Sequence, residues 1–255
     1  MPSPIWTPAA LLSEKLVLEG RVWRLVEAQH RVSTLKLVDD LDEQALLEDI
    51  IEATKPAIPP ECRHLDYLLA TPFRYGAPYP KGSRFRRAGN TPGVFYASER
   101  PTTAVAEMAF YRLLFFAESP DTPWPKDAAE FTAFQAAVRS GRTIDLTRAP
   151  LSADSARWTH VTDYSACQSL ADAAREAGLD CIRYESVRDP ERRANVALLS
   201  CRAFAKRRPL ERRTWRMRLA SSGVQAVCEF PDLRLGFDRL AFAADPRIAI
   251  LQWER

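Results

Sequence analysis

Residues Phe73–Glu107 read FRYGAPYPKGSRFRRAGNTPGVFYASERPTTAVAE, and the organisation of the chain follows from the two halves of this stretch. In the first half Pro72, Pro78, Pro80 and Gly82 interrupt any regular period, so the chain runs as an irregular loop, the kind of segment on which scaffolds present ligand-binding groups. In the second half Gly93 leads into Val94-Phe95-Tyr96-Ala97, which has the composition of a short strand. Thr102–Phe116 then has the period of a helix, with Pro101 in its first turn, where a missing N–H costs nothing. Glu107 falls in the middle of that helix. No acid lies between Asp66 and Glu99, whereas Arg74, Lys81, Arg84, Arg86 and Arg87 do, interleaved with Phe73, Tyr75, Tyr79, Phe85, Phe95 and Tyr96.

At helical spacing Glu107 shares a stripe with Thr103, Ala104, Phe110, Tyr111 and Leu114, which sets its carboxylate on or beside an apolar face. A charge in that position needs a partner, because an unpaired buried carboxylate costs several kcal/mol or takes up a proton. An arginine of the preceding loop is the expected partner. Three readings remain open: a structural ion pair, a helix turned so that Glu107 meets water, and a catalytic carboxylate.

With 255 residues, 46% of them hydrophobic and 10% aromatic, the chain has material for a substantial core, and a single domain is expected. Lys and Arg number 36 against 33 for Asp and Glu, an excess that does not by itself call for nucleic acid or a membrane surface. The cations are clustered, however, in Arg74–Arg87 and again in Lys206–Arg218. Cys62, Cys167, Cys181, Cys201 and Cys228 stand singly and there are three histidines, which excludes a zinc framework and a disulfide scaffold. No run approaches the roughly 18 apolar residues that a membrane span requires, and no basic segment followed by an apolar run opens the chain. The expectation is a soluble, cytoplasmic protein without a metal.

Around the central stretch, residues 1–19 read as an entry arm and Arg21–Val26 alternates as a strand. Asp40 with Glu43 fits a capping box for a helix to about Thr54, with Leu46, Leu47, Ile50 and Ile51 as its apolar face. Its many acids fit a solvated face or a neighbouring basic patch. Phe131–Val138 reads as either a strand or a short helix, and Thr143–Thr147 as a strand. Ser165–Ala177 reads as a helix opened by Thr162-Asp163-Tyr164 and closed by Gly178. Cys181–Tyr184 and Asn195–Leu199 read as strands flanking a loop that gathers Ser186 and Arg188. Alternation at Thr214–Leu219 and Val224–Phe230 predicts an antiparallel hairpin turning near Ser221-Ser222-Gly223.

Taken in order, Arg74-Tyr75 in FRYG, Arg84 in GSRF, Tyr96 in VFYAS, Glu107 in AVAE, Ser165 in DYSACQ and Ser186 in YESVR resemble the RES-domain family, toxins of RES-Xre toxin-antitoxin systems. The resemblance covers roughly residues 60–200. It implies an α+β fold, a compact mixed sheet with flanking helices like that of mono-ADP-ribosyltransferases, with a core at about 60–205 and extensions at 1–59 and 206–255. It also implies consumption of NAD as substrate, by phosphorolysis, hydrolysis or transfer of ADP-ribose to a protein, and neutralisation by a Xre-type antitoxin. By the same resemblance Arg74 and Arg84 would hold the diphosphate or its ribose, Tyr75 and Tyr96 would line the nicotinamide pocket, and Glu107 would grip the ribose. Ser165 and Ser186 both stand in family-like contexts. Many short members carry a tryptophan-asparagine pair where Phe85-Arg86 stands here.

The residue types suit that chemistry. Cleaving the nicotinamide–ribose bond builds positive charge on the sugar, which a fixed carboxylate stabilises more in the transition state than in the ground state. A diphosphate is matched by the planar, bidentate donors of arginine. A glycine-rich dinucleotide fingerprint is absent. Against these stand plainer roles: Tyr96 in core packing, Arg86 and Arg87 as solvated surface, His64 and His160 as structural groups, and Ser165 as part of a helix cap. A nucleic-acid-binding or ribonuclease-type toxin using both basic, aromatic patches is the alternative function.

Overall fold

The computed structural model describes residues 6–28, 37–74, 82–89 and 91–254. Eight strands form one sheet: β1 (Leu16–Glu27), β2 (Phe95–Ser98), β3 (Ala129–Asp145), β4 (Cys181–Glu185), β5 (Ala194–Leu198), β6 (Glu211–Ala220), β7 (Gly223–Cys228) and β8 (Leu233–Asp238), in the order β1-β2-β5-β4-β3-β6-β7-β8. β3 organises it. One edge of β3 carries β1 from Glu27↔Phe131 to Leu16↔Thr143, and the other carries antiparallel β6 and then, at Thr143–Asp145, parallel β4. β1 also meets β2 at Trp23↔Ser98, so the strand order β1-β2-β5-β4-β3 returns on itself, and β6-β7-β8 runs off as a meander. The mixed sheet with flanking helices is the α+β architecture expected.

Phe131–Val138, left open as strand or short helix, is strand, and the predicted strand Thr143–Thr147 ends at Asp145; both belong to the one strand β3. Pairing along β1 carries β3 through Ser140-Gly141, where the alternation of the sequence lapses. The regions read as extensions are also built into the sheet, since β1 and β6–β8 supply four of its strands. The expected hairpin is present, with Ala220 paired to Gly223 across Ser221-Ser222. Its second strand ends at Cys228 rather than Phe230, and β8, which was not anticipated, follows.

Five helices matter for packing: α1 (Pro8–Ser13), α2 (Leu41–Thr54), α3 (Pro101–Ala117), α4 (Ser165–Glu176) and α5 (Pro246–Ala249). α3 starts with Pro101 at its first position and buries Ala104, Val105, Ala109, Phe110, Leu113 and Phe116 in a core with Trp23, Phe131 and Trp215. α4 packs Leu170, Ala171 and Ala174 in a second core with Phe85, Ile144 and Ile182, and ends at Gly178, whose φ of +65° is the left-handed cap that glycine adopts without strain. α2 forms as its capping signal predicts: the Asp40 carboxylate accepts from the amides of Asp42 and Glu43, and Glu43 accepts from the amide of Asp39. Its apolar stripe does not become a buried face, for Leu46 is 61% and Ile50 53% exposed. Spacing marks a stripe, but no described element covers it.

Candidate active site

A cavity of about 570 Å³ opens between α3, β2, β5 and the loops before α4 and after β4, within the roughly 300–1,000 Å³ usual for small-molecule sites. Arg84, Tyr96 and Glu107 line it together, with Tyr164, Tyr184, Arg188 and Asn195. Glu107 reaches the wall from the middle of α3. Its Oε1 accepts two short hydrogen bonds, from Ser186 Oγ at 2.6 Å and from Asn195 Nδ2 at 2.6 Å, and Oε2 has no protein donor among the described residues.

Both donors are aimed by partners of their own. Ser186 Oγ accepts from the amides of Arg188 (3.2 Å) and Asp189 (3.0 Å), so its only proton is directed at Glu107. The register Ser98↔Asn195 sets the Asn195 amide beside Ser98, whose hydroxyl donates to Asn195 Oδ1 at 2.6 Å and turns the amide nitrogen toward the carboxylate. The loop carrying Ser186 is pinned to α3 a second time, where Thr103, one turn before Glu107, donates to Asp189 at 2.6 Å. Asp189 is in turn held by Arg193, and although burial works against its charge, that pair and Thr103 keep its pKa below the ordinary value. The expected arginine partner of Glu107 is therefore corrected to two neutral donors. They hold the carboxylate without cancelling its charge.

Arg84 is 8% exposed and bonds neutral groups, Trp158 O at 2.6 Å, His160 O at 3.0 Å and the Cys167 sulfur at 3.9 Å, with its guanidinium 4.7 Å from the ring centre of Tyr164. No carboxylate pairs with it among the described residues. Tyr96 takes its place through a hydroxyl that is 2.9 Å from Ser83 Oγ and accepts from the amide of Phe85 at 2.9 Å. Burial pushes its phenol up to about 12 against those two stabilising bonds. Tyr184, edge-on to Phe85 at 4.8 Å, is also raised, by burial and by the negative charge of Glu107. Both phenols stay protonated near neutrality.

The remaining expected residues lie elsewhere. Arg74 lines a separate cavity of about 460 Å³ with Phe73, Gly93 and Ser200, and its Nη2 pairs with Glu52 of α2 at 2.5 Å. Convergence of Arg74 and Arg84 on Glu107 is thus met by Arg84 alone. Tyr75 falls outside the described residues. Ser165 is exposed at the start of α4, where its amide donates to Asp163 at 2.9 Å in the manner of a cap; of the two serines, Ser186 is the one at Glu107. Arg86, expected on the surface, is 4% exposed and bonds the side chain and carbonyl of Thr91, while Arg87 is exposed and pairs with Asp172. His160 has a structural role, accepting from the amides of Thr162 and Asp163 through Nδ1.

Asn195, Tyr164, Tyr184 and Arg247 were not singled out by the sequence. Asn195 carried one signal, a polar residue at the head of an otherwise apolar strand. What fold and site define together is a mixed α+β domain with an anchored carboxylate and a buried, uncompensated guanidinium on one cavity. The chain belongs to the RES-domain family: the model of that domain matches residues 58–220, from just before Pro60 to the end of β6. The family is linked in general to NAD-utilising toxins. Comparison with the curated proteins finds no match.

Proposed function

We propose that this protein is an NAD-consuming toxin that cleaves the bond between nicotinamide and ribose. The observation that carries the reading is the state of Glu107: one carboxylate oxygen is fixed by Ser186 and Asn195, and the other is left for a substrate hydroxyl on the cavity wall. A carboxylate so held does not reorganise when positive charge builds on the ribose carbon, and that preorganisation is the main source of rate in such sites. Arg84, charged and without a carboxylate partner, would take a phosphate oxygen, and Tyr96 and Tyr184 would offer aromatic faces to the nicotinamide ring. This site fits the mono-ADP-ribosyltransferase-like fold proposed for the family. The acceptor would be phosphate, water or a protein side chain, the reaction would take place in the cytoplasm, and a Xre-type antitoxin would neutralise it. No described helix is long and apolar enough to cross a membrane.

The nucleic-acid alternative is weakened at the first cluster of cations and less so at the second, where Lys206, Arg207 and Arg208 are exposed. Arg84 and Arg86 are buried, Arg74 and Arg87 pair with Glu52 and Asp172, and Arg213 and Arg216 pair with Glu211 and Glu229. Purified protein incubated with NAD, with and without phosphate, should release free nicotinamide, and mass spectrometry of the remaining ADP-ribosyl product identifies the acceptor. Intact NAD under all of these conditions, together with salt-sensitive binding to RNA, would replace this reading with the alternative.

A further inference from the structure

The displacement of Arg74 leaves the cavity one guanidinium short of the pair expected around a diphosphate. The C-terminal segment supplies another. Arg247, in α5, lines the same cavity as Arg84 and Arg188, although it lies beyond the residues that the family model matches. Its side chain is fixed in a two-pronged pair with Asp245, Nε to Oδ1 at 3.0 Å and Nη2 to Oδ2 at 2.8 Å. The same buried carboxylate, 1% exposed, holds Arg188 Nη2 at 2.9 Å.

Phe110 lies under both guanidiniums, 3.7 Å from that of Arg188 and 5.7 Å from that of Arg247. Tyr164 joins the third: its ring is beneath Arg84, and its hydroxyl is 3.4 Å from Arg188 Nη2. Three guanidiniums thus meet at one corner, and among the described residues Asp245 is the one carboxylate paired with any of them, holding Arg188 and Arg247. Arg188 is almost wholly buried, and its Nε and Nη1 form no hydrogen bond among the described residues. Fixed cations, Arg84 and Arg188 buried and Arg247 partly exposed, with donors to spare and a single carboxylate between them form a site for a multiply charged anion.

We propose that Arg247, locked by Asp245 beside Arg188, is a binding residue for the diphosphate of the substrate, taking the place at this cavity that sequence resemblance gives to Arg74. The inference rests on the NAD reading for the identity of the anion, and on geometry alone for its place. Asp245 acts as a positioning residue, holding two like charges side by side at one end while their free donors face the cavity.

Calorimetric titration of the full chain with ADP-ribose, inorganic pyrophosphate and nicotinamide tests it. Arg247→Ala should weaken ADP-ribose and pyrophosphate by about tenfold or more and leave nicotinamide affinity unchanged, since nicotinamide has no phosphate. Should that variant fail to fold, Arg247→Lys, which keeps the charge but loses the fork, should give an intermediate loss for the same two ligands. Equal ADP-ribose affinity in variant and wild type overturns the proposal, as does parallel weakening of all three ligands, the mark of a merely structural residue. If the wild type binds pyrophosphate through Arg247 but neither binds ADP-ribose nor consumes NAD, the anion site stands and the NAD reading falls. If it binds none of the phosphate compounds, both fall.

Discussion

Two cavities of similar size, about 570 and about 460 Å³, each hold an arginine from the same acid-free stretch, and they differ in what balances it. Arg74 in the smaller one meets Glu52, a residue of the preceding helix that is 54% exposed. Arg84 in the larger one meets carbonyl oxygens and an aromatic ring, and its charge is left for something that is not protein. The carboxylate of the larger cavity is treated in the same way, since Glu107 is held by a hydroxyl and an amide. A window of sequence without acids is therefore not a region of space without acids. What marks the larger cavity is that Glu107 and Arg84 are each fixed by neutral groups and are not spent on one another.

The comparison breaks most decisively at Glu107. Glu107→Gln keeps the shape of the side chain and removes its charge, and kcat for NAD cleavage should fall by about a hundred- to a thousandfold with little change in ADP-ribose affinity. A kcat within a few-fold of wild type would reduce the anchored carboxylate to a structural group. Ser186→Ala and Asn195→Ala should follow, each lowering kcat by about 10- to 100-fold, the equivalent of one hydrogen bond to a charged group at about 1.5–3 kcal/mol. If these two residues act by orienting Glu107, KM should change less than kcat. A rise in KM alone would place them at the substrate.

Much of this architecture was legible in local pattern, and the reasons for the rest are physical. The helix carrying Glu107, the caps of α2 and α4 and the β6–β7 turn are written in residues close to one another in sequence. Asn195 was not legible, because its function depends on the register Ser98↔Asn195, a pairing between distant strands. The same is true of β3, whose length is decided by β1 rather than by its own alternation. Glu107 was placed correctly on its helix, but its partners were not legible: an arginine near in sequence was one candidate, and the partners are Ser186 of the loop after β4 and Asn195 of β5. Asp245 and Arg247 lay in a tail with no motif, and only the folded chain brings them to Tyr164 and Phe110.

The smaller cavity sharpens the comparison from the other side. Arg74→Ala removes a pair whose acid is largely in water and which lines the smaller cavity, so it should alter NAD turnover by no more than about fivefold. A loss of a hundredfold or more in kcat/KM would return Arg74 to the substrate and end the distinction between the two cavities.

Tyr96 offers the finest test, because the titration of its phenol reports on the interior of the larger cavity. Its phenol is raised from 10.0 to about 12, chiefly by burial, so the folded chain holds this proton more tightly than the unfolded chain does. The contribution to stability is present below pH 10, where both states are protonated. It is lost as pH rises from about 10 to about 12, because the unfolded state ionises first and gains free energy that the folded state does not. Tyr96→Phe has no proton to lose and should show a flatter alkaline limb of stability in denaturant titrations repeated across that window. Superimposable limbs for the two proteins would mean that the phenol is open to water, and that Ser83 and Phe85 do not hold it in the wall of the cavity as their hydrogen bonds require.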